Sequence, residues 1–200
     1  MSYPIWLKYP YLYIFSAIFV LIVVPHIFIA KQTFKQVLGH IEGKVYDLRW
    51  TQIYIILVTT ATLTGILLSF GKIGRIEWHQ DFWFFCGLFF LSAGATIRLI
   101  AILTLGRYFS PVLTIRQDHI LVERGIYSLI RHPAYTGLFL FMLGFGLLLG
   151  NWLSMVIIFA AAITIAFFRV PLEEKALIEK FGDEYRSYMI RTKRYIPYLF

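Results

Sequence analysis

The sequence is dominated by apolar runs long enough, or nearly long enough, to cross a lipid bilayer. A bilayer needs about 20 consecutive apolar residues in a helix. Runs of that kind lie at about Tyr11–Ala30, Gln52–Phe70 and Phe82–Leu105, with two shorter ones at about Tyr135–Leu149 and Leu153–Phe168. Hydrocarbon offers the backbone no hydrogen-bond partner, so each run must satisfy its own amides. The expected fold is therefore all-α: a multi-pass integral membrane protein of about five transmembrane helices. The composition agrees. The chain is 59% hydrophobic and 15% charged, with mean hydropathy +0.71, whereas soluble domains are about half apolar and a quarter charged. Two hundred residues fit one membrane domain, with spans one and two in 1–81 and the rest in 82–200.

Charge placement gives an orientation. Lys31, Lys35, Lys44 and Arg49 follow the first span. Arg107, Arg116, Arg124 and Arg131 follow the third. Lys175, Lys180, Arg186, Arg191, Lys193 and Arg194 lie in the tail. On the other side stand Lys8, Lys72 and Arg75. The positive-inside rule then places the C-terminus in the cytoplasm and the N-terminus outside. Under this arrangement the net charge of +8 reflects basic cytoplasmic loops and contact with anionic lipid, not nucleic acid. The first apolar run is long enough to span and lacks a small-residue cleavage site, so it reads as a helix and not a removed leader. Cys86 is the single cysteine, which rules out an intrachain disulfide and a cysteine metal cluster. His26, His40 and His79 have no partner at metal-ligand spacing, so no metal is expected.

The shorter runs are separated only by Gly150-Asn151-Trp152, a tight helical hairpin. Polar chemistry sits at both of its open ends. Ahead of it stands Arg131-His132-Pro133-Ala134-Tyr135-Thr136-Gly137; after it come Arg169, Pro171 and Glu173-Glu174. Taken alone, the first stretch is equally a helix entry with proline in its first turn and interfacial anchors. The second is equally a new helix starting at Pro171 with acids set against its dipole. The hairpin changes the balance, because it returns both stretches to one membrane face. His132, Tyr135, Arg169 and Glu174 can then converge. Arg98, inside the third span, either pairs or faces a cavity. The tail residues Ala176, Leu177, Phe181, Tyr185 and Tyr188 recur near helical spacing, as in an amphipathic helix on the membrane surface. Gly144-Phe145-Gly146 suits helix packing.

The run from Leu121 to Gly137, with its Gly-x-Tyr, Arg-His-Pro and x-Tyr-x-Gly pattern, resembles the signature of isoprenylcysteine carboxyl methyltransferases. The second half is similar as well: Arg169, Glu173-Glu174, Leu177, Phe181-Gly182, Tyr185, Tyr188, Arg194 and Pro197. The resemblance covers about Leu105–Pro197 and implies an S-adenosyl-L-methionine-dependent methyltransferase without a Rossmann domain. It implies that Arg131 and His132 hold the cofactor carboxylate, and that Glu174 or Glu173 takes its ammonium or ribose hydroxyls. Tyr127 and Tyr135 would offer hydroxyls and ring faces, and Gln117, His119, Leu121 and Gly125 further contacts. Arg169, Arg98 and Glu174 would act at the reacting centre, the arginines on an anionic acceptor.

The expected reaction is methyl transfer to the C-terminal carboxylate of a prenylated cysteine. The acceptor would enter from the bilayer among membrane lipids and the cofactor from the cytosol, at a site completed by a cytoplasmic C-terminal helix. A phospholipid N-methyltransferase is the nearer alternative, but its ammonium acceptor needs a base near the methyl group. A transporter or scaffold is disfavoured by the lack of inverted repeats and by polar residues clustered at one face. A nicotinamide-dependent reductase finds no dinucleotide fingerprint here.

Overall fold

A computed structural model describes residues 4–17, 20, 43–45, 48–110, 114–116 and 118–197. Most of the first expected span falls outside these residues, which show helix at 11–17. Four long helices follow: α1 (Leu48–Phe70), α2 (Gln80–Leu105), α3 (Pro133–Leu148) and α4 (Trp152–Phe181). A short α5 (Asp183–Arg191) completes the helical set. Three of these helices are long and apolar enough to cross a membrane, and α3 is shorter. Its 16 residues rise only about 24 Å, against a hydrocarbon core of about 30 Å. The helical expectation holds, with one addition. Gly43–Val45 (β1) and Thr114–Arg116 (β2) pair antiparallel, Lys44 opposite Ile115, and tie the segment before α1 to the α2–α3 connection.

The α2–α3 seam is made by glycine. Gly87 and Gly94 on α2 meet Gly144 and Gly137 on α3. A Cβ on Gly94 would stand 2.6 Å from the Gly137 carbonyl oxygen, and one on Gly87 2.9 Å from that of Gly144. The backbones therefore touch, which is how apolar helices associate where lipid competes equally for every side chain. Gly144 of the expected packing motif serves this seam, and Gly146 brings α3 against Met155 of α4. On the other side, Ser154 Oγ donates to the Gly65 carbonyl at 2.7 Å and joins α4 to α1.

The hairpin end of the bundle is closed by Asn151. Its Nδ2 donates to the carbonyls of Leu68 (3.1 Å) and Ile73 (2.8 Å), and its Oδ1 caps α4 by accepting from Leu153 and Ser154. The residue is fully buried. Ile76 N–H to Gly150 O and Trp152 N–H to Gly74 O complete the closure. Beneath it Ile5, Phe84, Phe145, Leu148 and Leu149 form the main apolar cluster.

The last long helix, α4, differs from the sequence-based expectation. The fifth span was expected to stop near Phe168, with Pro171 opening a new helix. Instead α4 runs unbroken to Phe181 with Pro171 inside it. A proline in mid-helix removes one hydrogen bond, but its fixed φ is helical. Arg169 and Glu173, an i,i+4 ion pair at 3.0 Å, bridge the weakened turn, and Val170 and Glu174 beside it are buried. The acids therefore stand in the middle of a helix and are set against its side-chain partners, not its N-terminal dipole. The helix ends where Gly182 takes φ 56° and donates its amide to Ile178 O.

Candidate active site

The open ends of the hairpin meet at the other end of the bundle, as the topology of the sequence requires. Pro133 occupies the first turn of α3 behind His132. The backbone before it is held by the tail: Arg131 N–H donates to Lys193 O at 2.8 Å and His132 N–H to Arg194 O at 2.9 Å. Thr136 Oγ1 adds a bond to Tyr195 O at 2.7 Å, and Arg131 Nη1 reaches the Met189 and Thr192 carbonyls. The tail is thus a strap across the entry to α3.

Glu174 is the hub of that strap. Arg131 Nε donates to it at 3.2 Å, and Arg194 forks onto it through Nε (3.1 Å) and Nη2 (2.6 Å). The hydrogen bond to Glu174 raises the Arg194 guanidinium further above its ordinary range. His132 Nε2 lies 3.4 Å from the same carboxylate, without hydrogen-bonding geometry. The Glu174 side chain is 4% exposed, so these partners use up its capacity.

Glu173 has a different setting. It accepts from Tyr135 Oη at 2.6 Å and from Arg169 Nε at 3.0 Å, with His132 Nδ1 3.8 Å away. The group borders a cavity of about 1170 Å³, including its open mouth. Its lining is partly polar, with Arg98, Arg131, His132, Tyr135, Arg169 and Glu173. The same lining also includes the apolar and aromatic residues Leu105, Tyr108, Phe109, His119, Leu121 and Val122. Arg98 Nη1 donates to the Ala134 carbonyl at 2.9 Å. That reach depends on Gly137, whose Cβ would fall 2.7 Å from the Arg98 amide nitrogen. The His119 ring lies against Tyr108 at 4.9 Å between centroids.

Of the residues expected at the site, Arg98, His119, Leu121, Tyr127, Arg131, His132, Tyr135, Arg169 and Glu173 line the cavity. Glu174 is not among the lining residues and sits in the strap. Gly125 is also off the wall. At φ +61° it starts the 3-10 turn Gly125–Ser128, a conformation glycine adopts freely, and that turn carries Tyr127. Gln117 lies outside the described residues. Sequence reasoning passed over Tyr54, Tyr108 and Leu138 on the cavity wall, and the role of Arg194. Tyr54 does interrupt an aliphatic run at the mouth of a span, which was its one signal.

The tyrosines here are neutral. Burial pushes the Tyr127, Tyr185 and Tyr188 phenols well above their ordinary range and that of Tyr195 up to about 12. Tyr188 donates to Tyr127 O at 2.6 Å, whereas the buried Tyr185 hydroxyl has no hydrogen-bond partner; other atoms of Tyr185 line the cavity.

The model of the isoprenylcysteine carboxyl methyltransferase family matches residues 86–179. Protein-S-isoprenylcysteine O-methyltransferase B of Arabidopsis thaliana is 34% identical over 147 residues, covering 72% of this chain and 72% of the relative. The Schizosaccharomyces pombe protein-S-isoprenylcysteine O-methyltransferase is 37% identical over 112 residues, covering 54% of this chain and 47% of its own length. A probable protein-S-isoprenylcysteine O-methyltransferase of Oryza sativa subsp. indica is 33% identical, with 65% of its length covered. The chain thus spans between about half and two thirds of the length of these last two relatives. Among solved structures, the eukaryotic intramembrane Ras methyltransferase ICMT superposes with a TM-score of 0.60 at 26% identity, over 78% of this chain and 55% of that one. Motif, membrane hairpin and strapped cavity agree with these likenesses: the chain belongs to the isoprenylcysteine carboxyl methyltransferase family.

Proposed function

We propose that the protein transfers a methyl group from S-adenosyl-L-methionine to the C-terminal carboxylate of a prenylated cysteine, at the cytoplasmic face of a membrane. The observation that carries this reading is one cavity whose lining combines ionic groups, Arg98, Arg169 and Glu173, with aromatic ones, Tyr108 and His119. The donor set fits the cofactor. Glu173 matches its ammonium, and the aromatic lining around Tyr108 and His119 its adenosine. When bound, the cofactor supplies a methyl group on an electrophilic sulfonium.

The chain's own residues bind, orient and exclude water. Arg169 and Arg98 hold the acceptor carboxylate, each offering planar N–H donors. Tyr135 and Arg169 fix Glu173 in place. Glu174 acts at one remove, holding Arg131 and the strap against the entry to α3. An α-carboxylate titrates at about 3.5, so the acceptor is already ionised at neutral pH and needs no base. The surroundings suit that demand. The phenols outside the membrane segments stay protonated, and Glu173 is engaged by Arg169 and Tyr135. An ammonium acceptor would need a free base here. The barrier is then lowered by alignment and dryness.

The test is transfer of labelled methyl from S-adenosyl-L-methionine to N-acetyl-S-farnesylcysteine by purified protein, beside phosphatidylethanolamine. Labelling of the farnesylated acid alone is expected. Labelling of the phospholipid alone, or no binding of the methyl donor by calorimetry, would refute the reading. Introduced cysteines should place Lys193 on the cytoplasmic side and Lys72 opposite.

A further inference from the structure

Tyr54 belongs to α1, ahead of the residues that the family model matches. Among the described residues it is the one residue of α1 that lines the cavity. Its neighbours Ile53, Ile55 and Ile56 are exposed on the outside of the bundle. Those positions mark the outward side of α1, and Tyr54 lies on its cavity side. The Tyr54 ring lies 6.0 Å from the Arg169 guanidinium carbon, within the range of a cation–π contact. Arg169 is held from its other side through Nε by Glu173. Lower in the bundle α1 is fixed to α4 by Ser154 and Gly65, where a Cβ would come within 2.6 Å of Ile158.

We propose that Tyr54 is an acceptor-selecting residue. Its ring holds the Arg169 guanidinium facing the lipid-side mouth of the cavity, and so makes the site prefer an acceptor with a free carboxylate over the same lipid with that charge removed. This rests on the methyl-acceptor reading of the site. It assigns part of the recognition to a helix outside the matched region. The ring does this through its face, and the hydroxyl is not required. Phenylalanine should substitute and leucine should not, because an aliphatic side chain fills the space without attracting the cation.

The experiment is equilibrium binding, without methyl donor, of N-acetyl-S-farnesylcysteine and of its carboxamide to the full-length protein in nanodiscs. Wild type and Tyr54→Phe should prefer the acid over the amide to the same degree. Tyr54→Leu should lose about three- to thirtyfold of that preference, the equivalent of one cation–π contact. Its affinity for S-adenosyl-L-methionine and for the amide should stay within about twofold. With methyl donor present, the loss should appear in KM for the acid more than in kcat. An undiminished preference in Tyr54→Leu overturns the proposal. So does a lost preference in Tyr54→Phe, which keeps the idea testable if the leucine variant does not fold. If wild type itself does not prefer the acid, the acceptor reading fails first, and the two failures are thereby told apart.

Discussion

The two ends of the helical bundle each bury one polar hub, and they differ in what they leave over. At the hairpin end Asn151 is neutral. All four of its side-chain hydrogen bonds run to backbone groups of α1, the α1–α2 loop and α4. The Asn151 side chain therefore has no group left to meet a ligand. At the other end Glu174 is equally buried and equally engaged, but by charges, and one residue earlier Glu173 and its partners border a cavity. Burial of a polar group therefore does not mark a site by itself. What marks it is a polar group whose partners are themselves at the wall of a cavity. The first hub should govern stability alone; the second should govern stability and chemistry together.

The sharpest way to break that contrast is Glu174→Gln. It leaves Arg131 and Arg194 without their anion, and removing one partner of a buried ion pair costs about 3–5 kcal/mol. Thermal unfolding in detergent should move to much lower temperature, and both affinity for S-adenosyl-L-methionine and methyl transfer should fall together. A variant that melts like wild type would show that the strap does not depend on this carboxylate. Asn151→Ala comes next. Loss of the cap and of two carbonyl partners should cost about 2 kcal/mol, seen as a lower melting temperature, with kcat and KM unchanged below the transition. Lost turnover at an unchanged melting point would mean that the two ends are not separable.

Tyr135→Phe sharpens the comparison from the other side. It deletes one hydrogen bond to Glu173 and leaves the strap intact. We expect kcat/KM to drop about tenfold, the equivalent of about 1.4 kcal/mol, with little change in melting; equal loss in both would make Tyr135 a structural residue. The smallest effect belongs to Glu123→Gln. Its ion pair with Arg191 also joins the α2–α3 connection to the tail, at 3.0 Å, but with Arg191 61% exposed. A change of about 0.5 kcal/mol or less, vanishing in 1 M salt, is expected from a solvent-screened pair. A larger, salt-resistant effect would place part of the strap's strength at its surface.

The apolar runs by themselves determined that the chain is helical and membrane-spanning, because length and hydropathy settle what lipid will accept. The spacing of Arg131–Gly137 and Arg169–Glu174 about a tight hairpin put both motifs at one end of the bundle, since a hairpin of helices has no other way to close. Tertiary structure alone separated Glu173 from Glu174. Adjacent residues on a helix diverge by about 100°, so one carboxylate borders the cavity and its neighbour meets the tail, and no motif tells which is which. It also carried α4 through Pro171, because the compensating Arg169–Glu173 pair and the buried neighbours exist only once the bundle is packed. It brought Arg194 across 20 residues of chain to Glu174 and Tyr54 to Arg169. Such contacts depend on how each helix is rotated about its axis and on where the tail closes. Those are set by the glycine seam and the strap acting together, and hydrophobic periodicity in any one segment does not encode them.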